Sequence, residues 1–227
     1  MSKKLAKTTF NHKIIRSKRK TLSLQIAEDG TLIIRSPYKT DEKTIYQIII
    51  KHKDWIEKKQ KEMLRKSQLK NEVTNRKMFL YLGNRYKLQI VKDQRIPMIF
   101  DEGFFLSESH LNDEREILLK WYKLKSYEII SERVDMYATK YGFKYEKIKI
   151  TNAQKRWGSC SSNGNLNFSW RIIMAPMEVI DYVVIHELVH LVERNHSRSF
   201  WEKVKLLYPQ YEKHNEWLKE NGYLLNL

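Results

Sequence analysis

Cysteine is almost absent from the 227-residue sequence. The single residue, Cys160, excludes an internal disulfide and a zinc ribbon built from several cysteines, and it favours a reducing, cytoplasmic environment. No apolar run approaches the roughly 18 residues that a membrane span needs, so we expect no membrane partner. The first residues are basic and no apolar segment follows them, so we expect no secretory signal.

Acidic residues are scarce in the first third of the chain. Residues 1–77 contain 21 Lys and Arg against 8 Asp and Glu, whereas residues 78–227 contain 22 against 19. The net charge of +16 therefore comes mainly from the amino-terminal third, which favours an anionic partner such as nucleic acid. A biased composition would give the same pattern without a partner, since 30 of the basic residues are Lys.

The first 107 residues are predicted to form a basic, mainly β module that is interrupted by one long helix. With 41% hydrophobic residues, the whole chain can bury a core, as one large domain or two small ones. Alternating apolar and polar residues predict two strands within 21–35. Apolar residues at spacings of three and four then predict a helix over about 41–68. Two hairpins, centred on 83–84 and 101–103, complete the module.

Residues 108–227 are predicted to form a second domain, which makes the protein α+β in class. Helical periodicity and strand-like alternation both occur in it, separated by turn signals. Its predicted elements are, in order, a helix over about 113–142, a strand at 145–151, a polar loop at 152–164, a strand at 166–170, a helix over about 177–194 and two further helices.

The segment His186-Glu187-Leu188-Val189-His190 lies within the predicted helix 177–194. Positions i and i+4 of a helix share a face, so imidazoles at 186 and 190 can bind one metal ion. Glu187 can act as the general base toward a metal-activated water. Because this pattern is expected only about 0.02 times by chance in such a chain, we interpret it as a metal site.

A catalytic zinc site needs a third protein ligand beside its water. His196 is the nearest candidate, because a left-handed residue at Asn195 can bring it back to the helix. Glu212 or Glu216, on a later helix, is the alternative third ligand. Glu193 is expected to orient a histidine or a water molecule instead of binding the metal.

The spacing of His190 and His196 equals that of metzincins, but two features argue against that class. Glu193 occupies the metzincin glycine position, and no methionine follows Met177 to form a Met-turn. Two further interpretations remain: the histidines could be core residues, or the site could be purely structural. Structural zinc sites usually include cysteine, and only Cys160 is present.

The segment His186–His190 and several others, spread over nearly the whole chain, resemble the YgjP-like metallopeptidase family. They include Asn195-His196-Ser197, Phe200-Trp201, the run from Arg156 to Ser161, Asn165-Leu166-Asn167, 176–182, 16–24 and Tyr81-Leu82-Gly83. The family is similar to the wider zincin group, including SprT-like proteases. The resemblance implies a zincin-like domain, one zinc ion held by His186, His190 and His196, and Glu187 as the catalytic base.

The polar loop with the sequence Arg156-Trp157-Gly158-Ser159-Cys160 is expected to lie beside the zinc site. The strand 166–170 is our candidate edge strand, which an extended substrate would join by strand addition. Arg156 would bind a substrate carbonyl or carboxylate, or stabilise a developing oxyanion, and Asn167 is a second candidate substrate contact. The alternative is that Arg156 and Trp157 only brace the loop, and a nucleophilic role for Cys160 is disfavoured.

We therefore expect a cytoplasmic zinc metallopeptidase that hydrolyses peptide bonds of a peptide or protein substrate with one Zn²⁺ per chain. Three other functions fit parts of the sequence: a nucleic-acid-associated zinc protein, a protease recruited to DNA by its basic module, and a metal-dependent hydrolase of non-peptide substrates.

Overall fold

The computed structural model describes residues 10–27, 29–75 and 78–227, with side chains described for 10–27, 29–64 and 78–227. The basic segment 1–9, for which we expect no secretory signal, lies outside the described residues. The chain divides into two compact units, Met1–Asn75 and Arg76–Leu227. In the described part, no helix combines the length and apolar character that a membrane crossing requires.

In its described residues, the first unit pairs a three-stranded sheet with two helices. Leu32 and Ile34 of the sheet and Ile45, Ile49 and Ile56 of the helices form its buried core. The central strand β3 runs parallel to β1 and antiparallel to β2. The elements are β1 (His12–Ser17), β2 (Ser23–Ile26), β3 (Leu32–Pro37), α1 (Glu42–Lys51) and α2 (Lys53–Asn75).

Two features of this unit differ from the elements that we predicted. The strand β1 was not predicted. The predicted helix over 41–68 is two helices, because the chain leaves helical geometry at His52, where φ is −106° and ψ is 18°. Its predicted start is confirmed by Asp41, whose side chain accepts a hydrogen bond of 2.6 Å from the backbone N–H of Thr44.

The described residues of the second unit, 78–227, form two small sheets and four α-helices. The four-stranded sheet has the order β4-β5-β7-β6, and the three-stranded sheet has the order β8-β10-β9. Its elements are β4 (Met78–Tyr81), β5 (Asn84–Val91), β6 (Met98–Phe100), β7 (Phe104–Ser107), α3 (Glu114–Tyr141), β8 (Lys147–Thr151), β9 (Gly158–Cys160), β10 (Asn165–Ser169), α4 (Met177–Val189), α5 (Arg198–Leu207) and α6 (Tyr211–Asn221).

The four-stranded sheet shares its core with α3. The ring centroids of Tyr81, Phe100 and Phe104 lie 4.9 to 5.5 Å from that of Trp121 on α3. The hydroxyl of Tyr122 donates a hydrogen bond of 2.6 Å to the backbone oxygen of Leu80. These aromatic contacts join β4–β7 to the carboxy-terminal part, so the compact units divide after residue 75 and not after residue 107, where we placed the boundary.

The three-stranded sheet corrects the prediction of its edge strand. The predicted strand 166–170 corresponds to β10, which lies in the centre, parallel to β8 on one side and antiparallel to β9 on the other. The edge strands are β8 and β9, and β9 lies inside the segment that we predicted as a polar loop. The prediction failed because β8 pairs with β10 across the sheet, and the short β9 has too few residues to show alternation.

The helix α4 is the most buried helix of the second unit. A bidentate ion pair links it to α3, with Nε and Nη2 of Arg133 each 2.6 Å from an oxygen of Asp181, which is 6% exposed. The helix ends at Val189 rather than at the predicted residue 194, because the following backbone bonds tighten to i−3 spacing at Leu191 and Val192.

Candidate metal centre

The last turn of α4 and the chain that follows it bring three imidazoles together. His186 lies on α4, His190 caps its carboxyl end, and His196 lies just before α5. One ring nitrogen from each of the three lies within 4.8 Å of the others, which is the spacing of ligands around one ion. Nε2 of His186 and Nε2 of His196 are 3.0 Å apart.

The tight turn after α4 positions His196 by a local mechanism. Leu191 and Val192 donate backbone hydrogen bonds to Leu188 and Val189, so the chain turns back as soon as the helix ends. Ser197 then caps α5, since its hydroxyl accepts a hydrogen bond from the backbone N–H of Phe200.

Phe200 forms the floor beneath the three histidines. Its side chain is fully buried, and its ring centroid lies 4.9, 4.5 and 4.8 Å from those of His186, His190 and His196. Trp201 lies beside them, 5.6 Å from the ring of His196. The two aromatic residues therefore limit the positions that the imidazoles can adopt.

The hydrogen bonds of the histidines fit a metal ion. Nδ1 of His190 lies 3.0 Å from the backbone oxygen of Glu193. Because that oxygen can only accept, Nδ1 carries the proton and the lone pair of Nε2 is free for a metal. Between His186 and His196, two Nε2 atoms face each other at 3.0 Å, an arrangement that a shared cation would satisfy. This donor set suits a divalent ion such as Zn²⁺.

Burial controls the charges at the centre. Burial, followed by the nearby His190 and His196, lowers the pKa of His186 to about 3. Burial also lowers the pKa of His190. Burial raises the pKa of Glu187 to about 8, although the nearby Arg156 acts in the opposite direction. Neutral imidazoles are the form that binds metals, so the apolar surroundings favour metal binding.

The edge strand β9 packs directly against Glu187. A Cβ atom added to Gly158 would lie 2.5 Å from Oε1 and 2.6 Å from Cγ of Glu187, so only glycine allows this approach. Glu187 is 4% exposed, and its Oε2 atom is buried without a hydrogen-bond partner among the described residues. Trp157, the residue that precedes Gly158, packs against Gly222, which directly follows α6.

The three histidines, Glu187 and β9 line one cleft of about 680 Å³. A family model described as "YgjP-like, metallopeptidase domain" matches residues 20–221. The chain belongs to the YgjP-like metallopeptidase family. This membership indicates a metal-dependent peptidase, with a divalent metal as its cofactor. No curated protein and no solved structure matches the chain.

In this YgjP-like metallopeptidase the two candidate substrate contacts, Arg156 and Asn167, lie in different places. Arg156 lines the cleft. Asn167 does not line the cleft. Its side-chain nitrogen lies 3.4 Å from the backbone and side-chain oxygens of Ser159, its partner in β9. Ser159 follows Gly158 directly in the strand, and successive residues of a strand point to opposite faces of the sheet. Asn167 therefore lies on the sheet face opposite Glu187.

The acidic alternatives for the third ligand lie outside the histidine cluster. Glu212 accepts a hydrogen bond from Tyr211, and neither Glu212 nor Glu216 has an oxygen within the cluster. The carboxylate of Glu193 lies 2.5 Å from Lys203 and 2.9 Å from Ser199. Its backbone oxygen lies 3.0 Å from Nδ1 of His190, so Glu193 contacts a histidine through its main chain.

The contact at Gly158 makes this residue a sensitive position in the YgjP-like metallopeptidase. We expect Gly158→Ala to lower peptide hydrolysis about 100-fold, because the new methyl group must displace either Glu187 or β9. Gly103→Ala is the matched control, since a Cβ there meets nothing closer than 3.7 Å. Steady-state rates of both purified variants test this, and wild-type activity of Gly158→Ala would contradict the close packing.

Proposed function

We propose that this protein is a zinc-dependent peptidase that hydrolyses peptide bonds with Glu187 as the general base. One observation carries the proposal: three convergent imidazole nitrogens and the buried side chain of Glu187 line the same cleft as β9, whose outer edge pairs with no strand among the described residues. The family membership supports the peptidase class. The geometry of the cleft supports the individual residue roles that we propose.

His186, His190 and His196 would hold the metal through one ring nitrogen each. A bound zinc ion would polarise a substrate carbonyl group and lower the pKa of water in the cleft. Phe200 keeps the three rings in place, and the backbone oxygen of Glu193 holds His190 in the tautomer that leaves Nε2 free.

In this proposal Glu187 accepts and returns a proton. It follows His186 directly on α4, and β9 holds its carboxylate at the wall of the cleft. Its Oε2 atom has no partner in the described part of the chain. In the ionised form, which a nearby bound cation would favour, this atom can accept a hydrogen bond from an attacking water molecule. Glu187 would take that proton as the carbonyl is attacked and would deliver it to the leaving amine.

The free edge of β9 offers a binding surface for an extended peptide. Trp157 and Ser161 bond to β10, since Ser169 N–H donates to Trp157 O and Ser161 N–H donates to Asn165 O. In an antiparallel ladder the intervening residues alternate, so the backbone groups of Gly158 and Cys160 face away from β10. A peptide that pairs with them would lie along the cleft. This edge favours a peptide over a small non-peptide substrate.

Metal removal and replacement test the proposed function. Protein treated with a chelator should lose hydrolysis of an unstructured protein substrate, and about one equivalent of Zn²⁺ should restore it. Fragments are measured by mass spectrometry, and intact substrate after zinc addition would contradict the proposal. Circular dichroism of the metal-free protein is the control that the chain remains folded.

A further inference from the structure

The charged side chains around the cleft are mostly cationic. Among the described residues that line it, Arg156, Arg194 and Lys219 are basic, and Glu187 is the single acid. Glu187 is buried, whereas all three basic residues are exposed. A substrate that enters this cleft therefore meets positive charge on several sides.

The two arginines lie at opposite ends of the edge strand. Arg156 precedes β9 by two residues. Nη2 of Arg194 donates a hydrogen bond of 3.1 Å to the backbone oxygen of Ser162, which follows β9 by two residues. The extended part of this segment is Gly158–Cys160, which covers roughly 10 Å, or about three residues of a paired peptide. An extended peptide on β9 would thus have an arginine near each end.

Lys219 adds a third cation from α6. Asn215 and Leu218 line the cleft with it, one turn and one residue away on the same helix. In the described part of the chain no ion pair links Arg156, Arg194 or Lys219 to an acid. The carboxylate of Glu193, close in sequence to Arg194, is held by Lys203 instead.

We propose that this cleft selects peptides that carry carboxylates on either side of the scissile bond. The proposal rests on the proposed function, because it takes β9 as the strand on which the substrate lies. Arginine and lysine at an open cleft bind carboxylates through charge-assisted hydrogen bonds and accelerate the association of acidic partners. The carboxylates are either Asp and Glu side chains or the carboxyl terminus of the substrate.

Binding of matched peptides to the zinc-loaded Glu187→Gln protein tests this inference. Two fluorescent peptides with blocked ends would carry either Glu or Gln at the positions that flank the central residues. A third, the Gln peptide with a free carboxyl terminus, separates the two sources of the carboxylate. We expect the Glu peptide to bind at least about fivefold more tightly than the Gln peptide, and the difference to shrink at high salt.

Substitution of the cations tests which residues produce the preference. Arg194→Gln and Lys219→Gln should each reduce the ratio of Glu-peptide to Gln-peptide affinity by about two- to fivefold. Lys213→Gln is the control, since Lys213 is exposed on α6 and does not line the cleft. If only the free carboxyl terminus raises the affinity, the cations bind the carboxyl end of the substrate and do not select Asp or Glu side chains.

Two outcomes would overturn the inference. The first is equal affinity for the three peptides. The second is a competition result in which a single-stranded oligonucleotide displaces the bound Glu peptide at a lower concentration than the unlabelled Glu peptide does. Cleavage of the Gln peptide by the wild-type enzyme is measured separately. If the Glu preference is found and no peptide is cleaved, the carboxylate selection stands and the proposed function fails.

Discussion

Glu187→Gln should lower peptide hydrolysis by about 10²- to 10⁴-fold while the protein retains its metal. The amide keeps the shape of the carboxylate, so the close packing against Gly158 is preserved. It cannot accept the proton of an attacking water molecule, which is the step assigned to this residue. The measurements are initial rates with a peptide substrate and metal content by atomic spectroscopy.

Glu193→Gln is the matched control for that variant. Glu193 is also an acid close to the histidines, but its carboxylate contacts Lys203 and Ser199 and lies outside the histidine cluster. We expect its rate to remain within a few-fold of wild type. If Glu187→Gln hydrolyses peptides normally with full metal content, the general base is another group.

The sequence pattern predicted the part of the site that depends on helical geometry. His186, Glu187 and His190 lie within one turn, and the i, i+4 relation is a local property of a helix. The return of His196 was also predicted, although the helix ends at Val189 rather than near Asn195. The tightened turn depends on backbone hydrogen bonds that residue types alone do not reveal.

The parts that were missed depend on contacts between distant segments. The central position of β10 follows from its pairing with β8, about 18 residues earlier, and periodicity within one segment does not report such pairing. The same applies to the unit boundary, which depends on Trp121 packing against Tyr81, Phe100 and Phe104. Gly158 offered a usable signal, because a glycine in a short strand often marks a close approach.

The nucleic-acid partner inferred from the basic first third stays a prediction. On the sheet of the first unit, Lys13 and Arg35 are exposed on neighbouring strands. In the second unit, Arg156, Arg194 and Lys219 line the cleft in which we propose that hydrolysis takes place. Charge along a chain therefore indicates an anionic partner in general, whereas the placement of charges relative to β9 makes an acidic peptide a specific hypothesis.

His196→Ala should lower zinc affinity by at least about 100-fold, because it removes one of three protein ligands. His196 is exposed, so its loss opens no cavity, and the metal-free variant should unfold at the wild-type temperature. Zinc at 100 times its Kd should stabilise the wild type by about 2.7 kcal/mol, and the variant should show little of this gain. Thermal unfolding with and without zinc measures the effect independently of peptidase activity.

The matched variants for His196→Ala identify the third ligand. His52→Ala removes an exposed histidine of the first unit and should leave zinc stabilisation unchanged. If His196→Ala retains the full stabilisation by zinc, the third ligand is one of the acids Glu193, Glu212 and Glu216, and the corresponding glutamine variant would then lose it. Because Nε2 of His196 lies 3.0 Å from Nε2 of His186, and the three acids lie outside the cluster, we expect the loss in His196→Ala.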